Sequence, residues 1–426
     1  VIKRRESTLE NGLRVVVAEL PHLHTATVAL YVRVGCRFET PADNGLSHFV
    51  EHMLFRGTDR YKSSYDLSFA VERLGATLYA ETGRDCGLMS LSVEPDGIAP
   101  GLEILGELLS SPRFDDIELE RKLILEELKE DYDDKGVEIN ADDIARELLF
   151  GDHPMGQRII GPQRNVERFD TADVRRHFER FYCARNMLLC VAGPVDTDAV
   201  VAAAAQHLSK LPSGTAAVGK PLEFDQSEAR YQYVKDSGSQ TGISLVLRGV
   251  PEQDADFPAL IALMRAIDDG MSTRLHYRLC DQLGLAYSIN ASIEPLHETS
   301  LVDITANTSH DKVAELVRQM LRLLAQLRAE PISAAELDKL QRRYRYDSRS
   351  STDDPNAIAG QVGGTALFYE PPSMAERVAR IAALTAPDLQ RVARRVFRPE
   401  RLSVAIVGDL TRARQADVCE AVMAWQ

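Results

Sequence analysis

The stretch His48-Phe49-Val50-Glu51-His52 constrains this chain more than any other. It sits in a run from Leu46 to Arg56 that holds neither Pro nor Gly. Asp43 or Asn44 is placed to cap the start and Gly57 to end it, so the run reads as one helix. On a helix, His48 and His52 are four apart and Glu51 is three from His48, which puts all three side chains on one face. Two imidazoles at that spacing reach one metal ion, and a zinc ion with an open position lowers the pKa of bound water to about 7. A carboxylate beside that water can take its proton and later hand it to a leaving amine. The bland alternative, a chance meeting of two His and a Glu, fits poorly with the adjoining apolar stripe of Leu46, Phe49, Val50, Met53 and Leu54. That stripe is not part of a solvated face.

Two histidines do not complete such a site, which takes three protein ligands plus water. The best source of a third is Glu118 to Leu128, where Glu120 and Glu127 are seven apart and share a helix face with Ile117, Ile124 and Leu128 on or beside it. That face is expected to point inward, where a carboxylate needs a partner and a metal supplies one. Glu126 falls with Lys122 and Glu130 on the solvated side. Periodicity alone leaves a second reading open, in which Glu120 and Glu127 pair with lysines or arginines on an exposed helix.

A chain of 426 residues is too long for one ordinary core and implies two or more domains. No apolar run approaches the roughly 18 residues of a membrane helix, so no membrane span is expected. The 64 acidic against 50 basic residues argue against a nucleic-acid partner; if part of that charge lines a cavity, basic or unfolded peptides are favoured. The six cysteines are scattered without a C-x-x-C pair and read as core residues or isolated thiols.

Period-2 alternation marks strands at 13–20 and 25–35, and two more strands are expected at 76–82 and 86–94. Helical periodicity marks 64–74, 102–109, 117–132, 138–150, 171–182 and 196–208, with a strand at 186–193. Residues 211–222 are rich in Pro, Gly and small residues. The order of elements then repeats: strand 240–249, helices 254–268 and 272–282, strands 286–294 and 301–307, helices 310–328 and 333–350, strand 402–408 and helix 411–425. The expectation is an α+β fold of two homologous domains from an internal duplication, each a mostly antiparallel sheet packed against helices. The boundaries expected are 1–212 for the domain with the metal motif, 213–222 for a linker and 223–426 for the second domain.

H-x-x-E-H is the inverted form of the H-E-x-x-H zinc motif, and with it the chain resembles the pitrilysin–insulinase family of inverzincin metallopeptidases. The likeness extends to ELERKLILEEL, HPMGQRIIGPQRNVERF (153–169), FYCARNMLLCVAGPV (181–195) and GMSTRLHYRLCDQLGLAYSI (270–289). It is nearest to the short members that work as two subunits, such as mitochondrial processing peptidase and its bacterial relatives. The resemblance implies one Zn2+ per chain, held by His48, His52 and Glu127. It makes Glu51 the catalytic base and Glu120 the second carboxylate that supports the site. It places Thr77 to Thr82 where the family's edge strand binds substrate by β-addition, so Ala80 and Thr82 are implied substrate contacts. The family usually has Asn where Tyr79 stands, which puts contacts there in question.

Catalytic members of that family carry an Arg and a Tyr, seven apart, in the second half. Aligning Gly284-Leu285-Ala286-Tyr287 puts Tyr287 on the Tyr, a further implied substrate contact, and Cys280 on the Arg. Arg278 is two positions off, about 200° around an α-helix. The resemblance therefore implies a zinc endopeptidase subunit acting on unfolded peptides or short polypeptides, with a paralogous partner supplying the Arg/Tyr pair in a heterodimer. The alternatives are a self-sufficient homodimeric peptidase and a non-catalytic assembly subunit of the same fold. The latter typically has an eroded zinc motif, which this chain does not. Because the chain opens on Val1 rather than Met, a periplasmic mature form is expected; the missing disulfide pattern keeps the cytoplasm as the alternative.

Overall fold

The computed structural model describes residues 2–426. Among the described residues, eleven strands form two sheets: β1 Lys3–Thr8, β2 Arg14–Glu19, β3 Ala26–Val32, β4 Leu78–Thr82, β5 Gly87–Val93 and β6 Met187–Gly193 in one, β7 Arg230–Lys235, β8 Thr241–Arg248, β9 Ser288–Pro295, β10 Ser300–Thr308 and β11 Leu402–Gly408 in the other. The first runs in the order β1-β2-β6-β3-β5-β4 and the second in the order β7-β11-β8-β10-β9. In each there is one parallel pair, β2 with β6 and β7 with β11, and every other pairing is antiparallel. Apart from β1, the second sheet repeats the first strand for strand. This is the α+β fold with an internal duplication.

The central strands β3, β6 and β11 are mostly apolar, with the hydroxyl residues Thr27 and Ser403 among them. β3, β6 and β11 are buried at every position. A strand covered on one face only would alternate, so these must be covered on both. The second cover comes from the other half of the chain. The compact unit around the first sheet consists of residues 1–128, 157–220 and 348–371; the unit around the second consists of 129–156, 221–347 and 372–426. In the first unit the helix Pro355–Ala359 packs on β3 and β6, where Tyr31 donates its hydroxyl to the carbonyl of Ala359 at 3.0 Å. In the second, the helix Ala141–Phe150 packs on β8 and β11, burying Ile144, Ala145 and Leu149. The compact units are thus built from interleaved segments, not from the stretches 1–212 and 223–426. A cut by composition finds the Pro/Gly-rich segment and cannot show which sheet a helix covers.

Two of the four edge strands carry little sequence signal. β1 (KRREST) and β7 (RYQYVK) are partly exposed and show no clean alternation, so periodicity passes over them. Three α-helices between 351 and 401, Pro355–Ala359, Met374–Ala382 and Ala386–Val396, lie outside the elements expected from periodicity. No described helix is long and apolar enough to cross a membrane.

Candidate metal centre

The motif helix spans Leu46–Leu54 in the first unit, with Phe49, Val50 and Met53 fully buried. Its start differs from the expected cap. Gly45 is the N-cap residue, in the left-handed region at φ 103°, where a Cβ would stand 2.6 Å from the carbonyl oxygen of Ile160. Asp43 instead accepts from the hydroxyl of Thr40 at 2.9 Å, and Asn44 donates to the Glu39 carboxylate and to the carbonyl of Arg158. Gly57, at φ 119°, follows the helix as expected.

Opposite lies the helix Ile117–Leu128. The structure brings His48, His52 and Glu127 together, with one potential ligand atom of each within 4.8 Å of the others. His48 Nε2 is 3.7 Å from Glu127 Oε1, and His52 Nε2 is 3.6 Å from Glu127 Oε2. These separations are too long for hydrogen bonds. They match the spacing of donors around one zinc: ligands at about 2.0–2.2 Å from a tetrahedral ion stand roughly 3.3–3.6 Å apart.

The second ring nitrogen of His52 is also engaged as a ligand requires. Its Nδ1 lies 3.2 Å from Glu120 Oε2, and Glu120 in turn pairs with Arg56. With the Nδ1 proton donated to Glu120, Nε2 is left as the lone-pair nitrogen facing Glu127. Burial opposes the charge on Glu120, yet the hydrogen bond from His52 and the Arg56 guanidinium hold its carboxyl below the ordinary range. His52 is pulled down by burial and pushed up more strongly by Glu120, Glu127 and Glu51. Burial, with a smaller contribution from His52, drops His48 to about 3, so its ring is a neutral donor at ordinary pH. A pocket with three carboxylates around one imidazole suits a cation. The residues present fit zinc.

Glu120 is 5% exposed, as an inward face requires. Glu127 is not: 49% of its side chain is exposed, so it approaches the histidines from the solvent side. The helix ends one residue later, at Leu128, so the inward face does not extend to Glu127.

Glu51, on the motif helix, is pushed up by burial, an effect opposed by the hydroxyl of Thr82, which donates to its carboxylate. Thr82 ends β4, the free edge of the first sheet, and its side chain is engaged with Glu51. Ala80 lies mid-strand, paired with Met89, while the Tyr79 hydroxyl donates to Glu81 at 2.9 Å.

The other implied contacts lie in the second unit. Tyr287 is 97% exposed, just before β9. Cys280 packs partly buried against the second core. Residues His276–Gln282 form a π-helix, so the 200° offset reckoned for Arg278 on an α-helix does not apply; Arg278 donates to Gln326 Oε1 at 3.3 Å. Nothing in the spacing of apolar residues signals a π turn. Arg56 lies in the turn just past the motif helix, and its place four residues after His52 is the sequence signal that sets it near Glu120.

Comparison with known proteins gives the family and the fold. The family described as Insulinase (Peptidase family M16) matches residues 14–163, and that described as Peptidase M16 inactive domain matches 168–344. The chain belongs to the insulinase (M16) peptidase family. It is 26% identical to an uncharacterized zinc protease of Streptomyces coelicolor over 98% of this chain and 92% of that one. In fold it is similar to a protease from Helicobacter pylori, with TM-score 0.86 and 22% identity over 96% and 100% of the two chains. It is similar as well to a chain of Complex III2 from Candida albicans with Inz-5 bound, with TM-score 0.79 and 17% identity over 97% and 99%.

Proposed function

We propose that this chain is the zinc-bearing subunit of an endopeptidase that hydrolyses unfolded peptides or short polypeptides. The observation that carries this reading is the convergence of His48, His52 and Glu127, with Glu51 beside them and Glu120 on His52 Nδ1. A zinc ion held by His48, His52 and Glu127 would act as a Lewis acid toward the scissile carbonyl and lower the pKa of an attacking water. Glu51 takes the proton of that water and passes it to the departing amine nitrogen. Thr82 fixes one carboxylate oxygen of Glu51, leaving the other for the reaction. The free edge of β4, Ala80 included, offers unpaired backbone groups to an extended substrate, which suits substrates of varied side chain.

In this proposal the working form is a heterodimer. What supports it is Cys280 at the family's Arg position, packed against the core and unable to replace a guanidinium, together with the engagement of Arg278 by Gln326. The test is hydrolysis of a quenched fluorescent peptide library by the purified, zinc-loaded chain alone and after adding a paralogous subunit with the Arg/Tyr pair. We expect no turnover alone and chelator-sensitive turnover with the partner; turnover by the lone chain would overturn the heterodimer. Glu51→Gln should then lower turnover by at least about a hundredfold while zinc stays bound. Normal hydrolysis by Glu51→Gln would remove the base from the mechanism.

A further inference from the structure

The two histidines of the motif helix are held in different ways. His52 Nδ1 is bonded to Glu120, whereas His48 Nδ1 is buried and has no hydrogen-bond partner among the described residues. A ligating histidine is ordinarily oriented through its second ring nitrogen. For His48, in the first turn of the helix, that orientation has to come from packing and from the backbone that carries it.

That backbone has an unusual anchor. Gly45 offers no side chain to the free N–H groups of the first turn, and such groups need acceptors when buried. The acceptor is Glu39, only 3% exposed and six residues before the cap. Its Oε1 accepts from the Ser47 N–H at 2.7 Å, and its Oε2 accepts from the Gly45 N–H and from Asn44 Nδ2, both at 3.0 Å. A carboxylate here also meets the positive end of the helix dipole. The Ser47 hydroxyl is held in turn, accepting from the Gly35 N–H at 3.1 Å and lying 3.0 Å from His177 Nε2.

We propose that Glu39 is a positioning residue for the metal site: by fixing the backbone of Gly45 and Ser47, it sets the direction in which His48 presents Nε2. This rests on the reading of His48, His52 and Glu127 as the zinc ligands. Glu39 acts through the residue next to the ligand, so its removal should cost metal affinity as well as stability.

The test uses Glu39→Gln, which leaves one acceptor oxygen, and Glu39→Asp, which keeps the charge and retracts it. A control, Leu105→Ala in the helix Ile98–Ser110, removes a fully buried side chain of the same unit. Zinc affinity is measured by chelator competition on the folded full chain, alongside the melting temperature of the metal-free form. Both Glu39 variants should lose about tenfold or more in zinc affinity, the range found for groups that orient ligands. Leu105→Ala should lower the melting temperature and leave the affinity within about twofold of the parent. Unchanged affinity in both Glu39 variants, or an equal loss in Leu105→Ala, overturns the positioning role. Zinc binding indifferent to His52→Ala and Glu127→Gln overturns the ligand reading, and the positioning role falls with it.

Discussion

Glu120 does two things at one place, accepting from His52 and pairing with Arg56, and both partners are largely shielded from water. Removing it therefore has two separable consequences. Glu120→Ala should lower zinc affinity by about 10- to 100-fold, because His52 loses the bond that sets its tautomer. It should also destabilise the metal-free chain by about 3 kcal/mol, because Arg56, with 16% of its side chain exposed, is left without its carboxylate. Chelator competition reads the first effect and urea unfolding the second; full zinc affinity in the variant would show that His52 needs no such support. That His48, His52 and Glu51 share one face could be read from their spacing, because a helix converts sequence separation directly into direction. Glu39 could not, since it reaches the helix across a turn whose path no periodicity encodes. Thr82 is a comparable case: the resemblance implied a substrate contact, and the fold turns its hydroxyl onto Glu51.

Helix and strand behaviour followed from how much of each element is buried. β3, β6 and β11 stand out as apolar runs, while β1 and β7 at sheet edges resemble loops. The helix Ala334–Ser350 shows how a cap signal translates into energetics. Ser333 and Glu336 bond reciprocally, the Glu336 N–H donating to the Ser333 hydroxyl at 3.2 Å and the Ser333 N–H donating to Glu336 Oε2 at 2.9 Å. Arg274 forks onto the same carboxylate at 2.8 and 3.0 Å. Burial opposes its charge, but Arg274 and Ser333 prevail and hold Glu336 down from 4.5 to about 2. A depressed carboxyl stabilises the fold above the unfolded value of 4.5 and loses that contribution as pH falls toward 2. Glu336→Gln keeps one oxygen for the capping geometry and removes the charge together with one of the two acceptors that Arg274 forks onto. With 30% of the side chain exposed, solvent screening limits the loss to about 1 kcal/mol at neutral pH. Urea unfolding at pH 7 and at pH 3 should show the gap between variant and parent narrowing at the lower pH. A constant gap would mean that the charge contributes nothing.

At the scale of the whole molecule, each compact unit holds a segment from the opposite half of the chain. Residues 1–220 alone therefore lack 348–371, and the faces of β3 and β6 covered by Pro355–Ala359 would meet water. Expressed separately, that fragment should lack a cooperative thermal transition and bind an apolar dye, whereas the full chain should melt cooperatively. A fragment with a sharp, native-like transition by circular dichroism would show that the borrowed segment is dispensable. The period-2 alternation expected at 25–35 implies cover on one face, whereas β3 is buried at every position, and its second cover lies more than 300 residues away. Patterns of short range were determined by the sequence alone: the motif helix, the carboxylates seven apart on the second helix, the strand-helix repeat, and through them the family. Each depends on one period, 3.6 or 2, that local backbone geometry imposes. Only the tertiary structure decided that Glu127 meets the histidines from the solvent side, that Glu39 caps their helix, and that the two units exchange segments. Those outcomes depend on which distant surfaces and donors find one another when buried groups must be satisfied, and local periodicity does not carry that information.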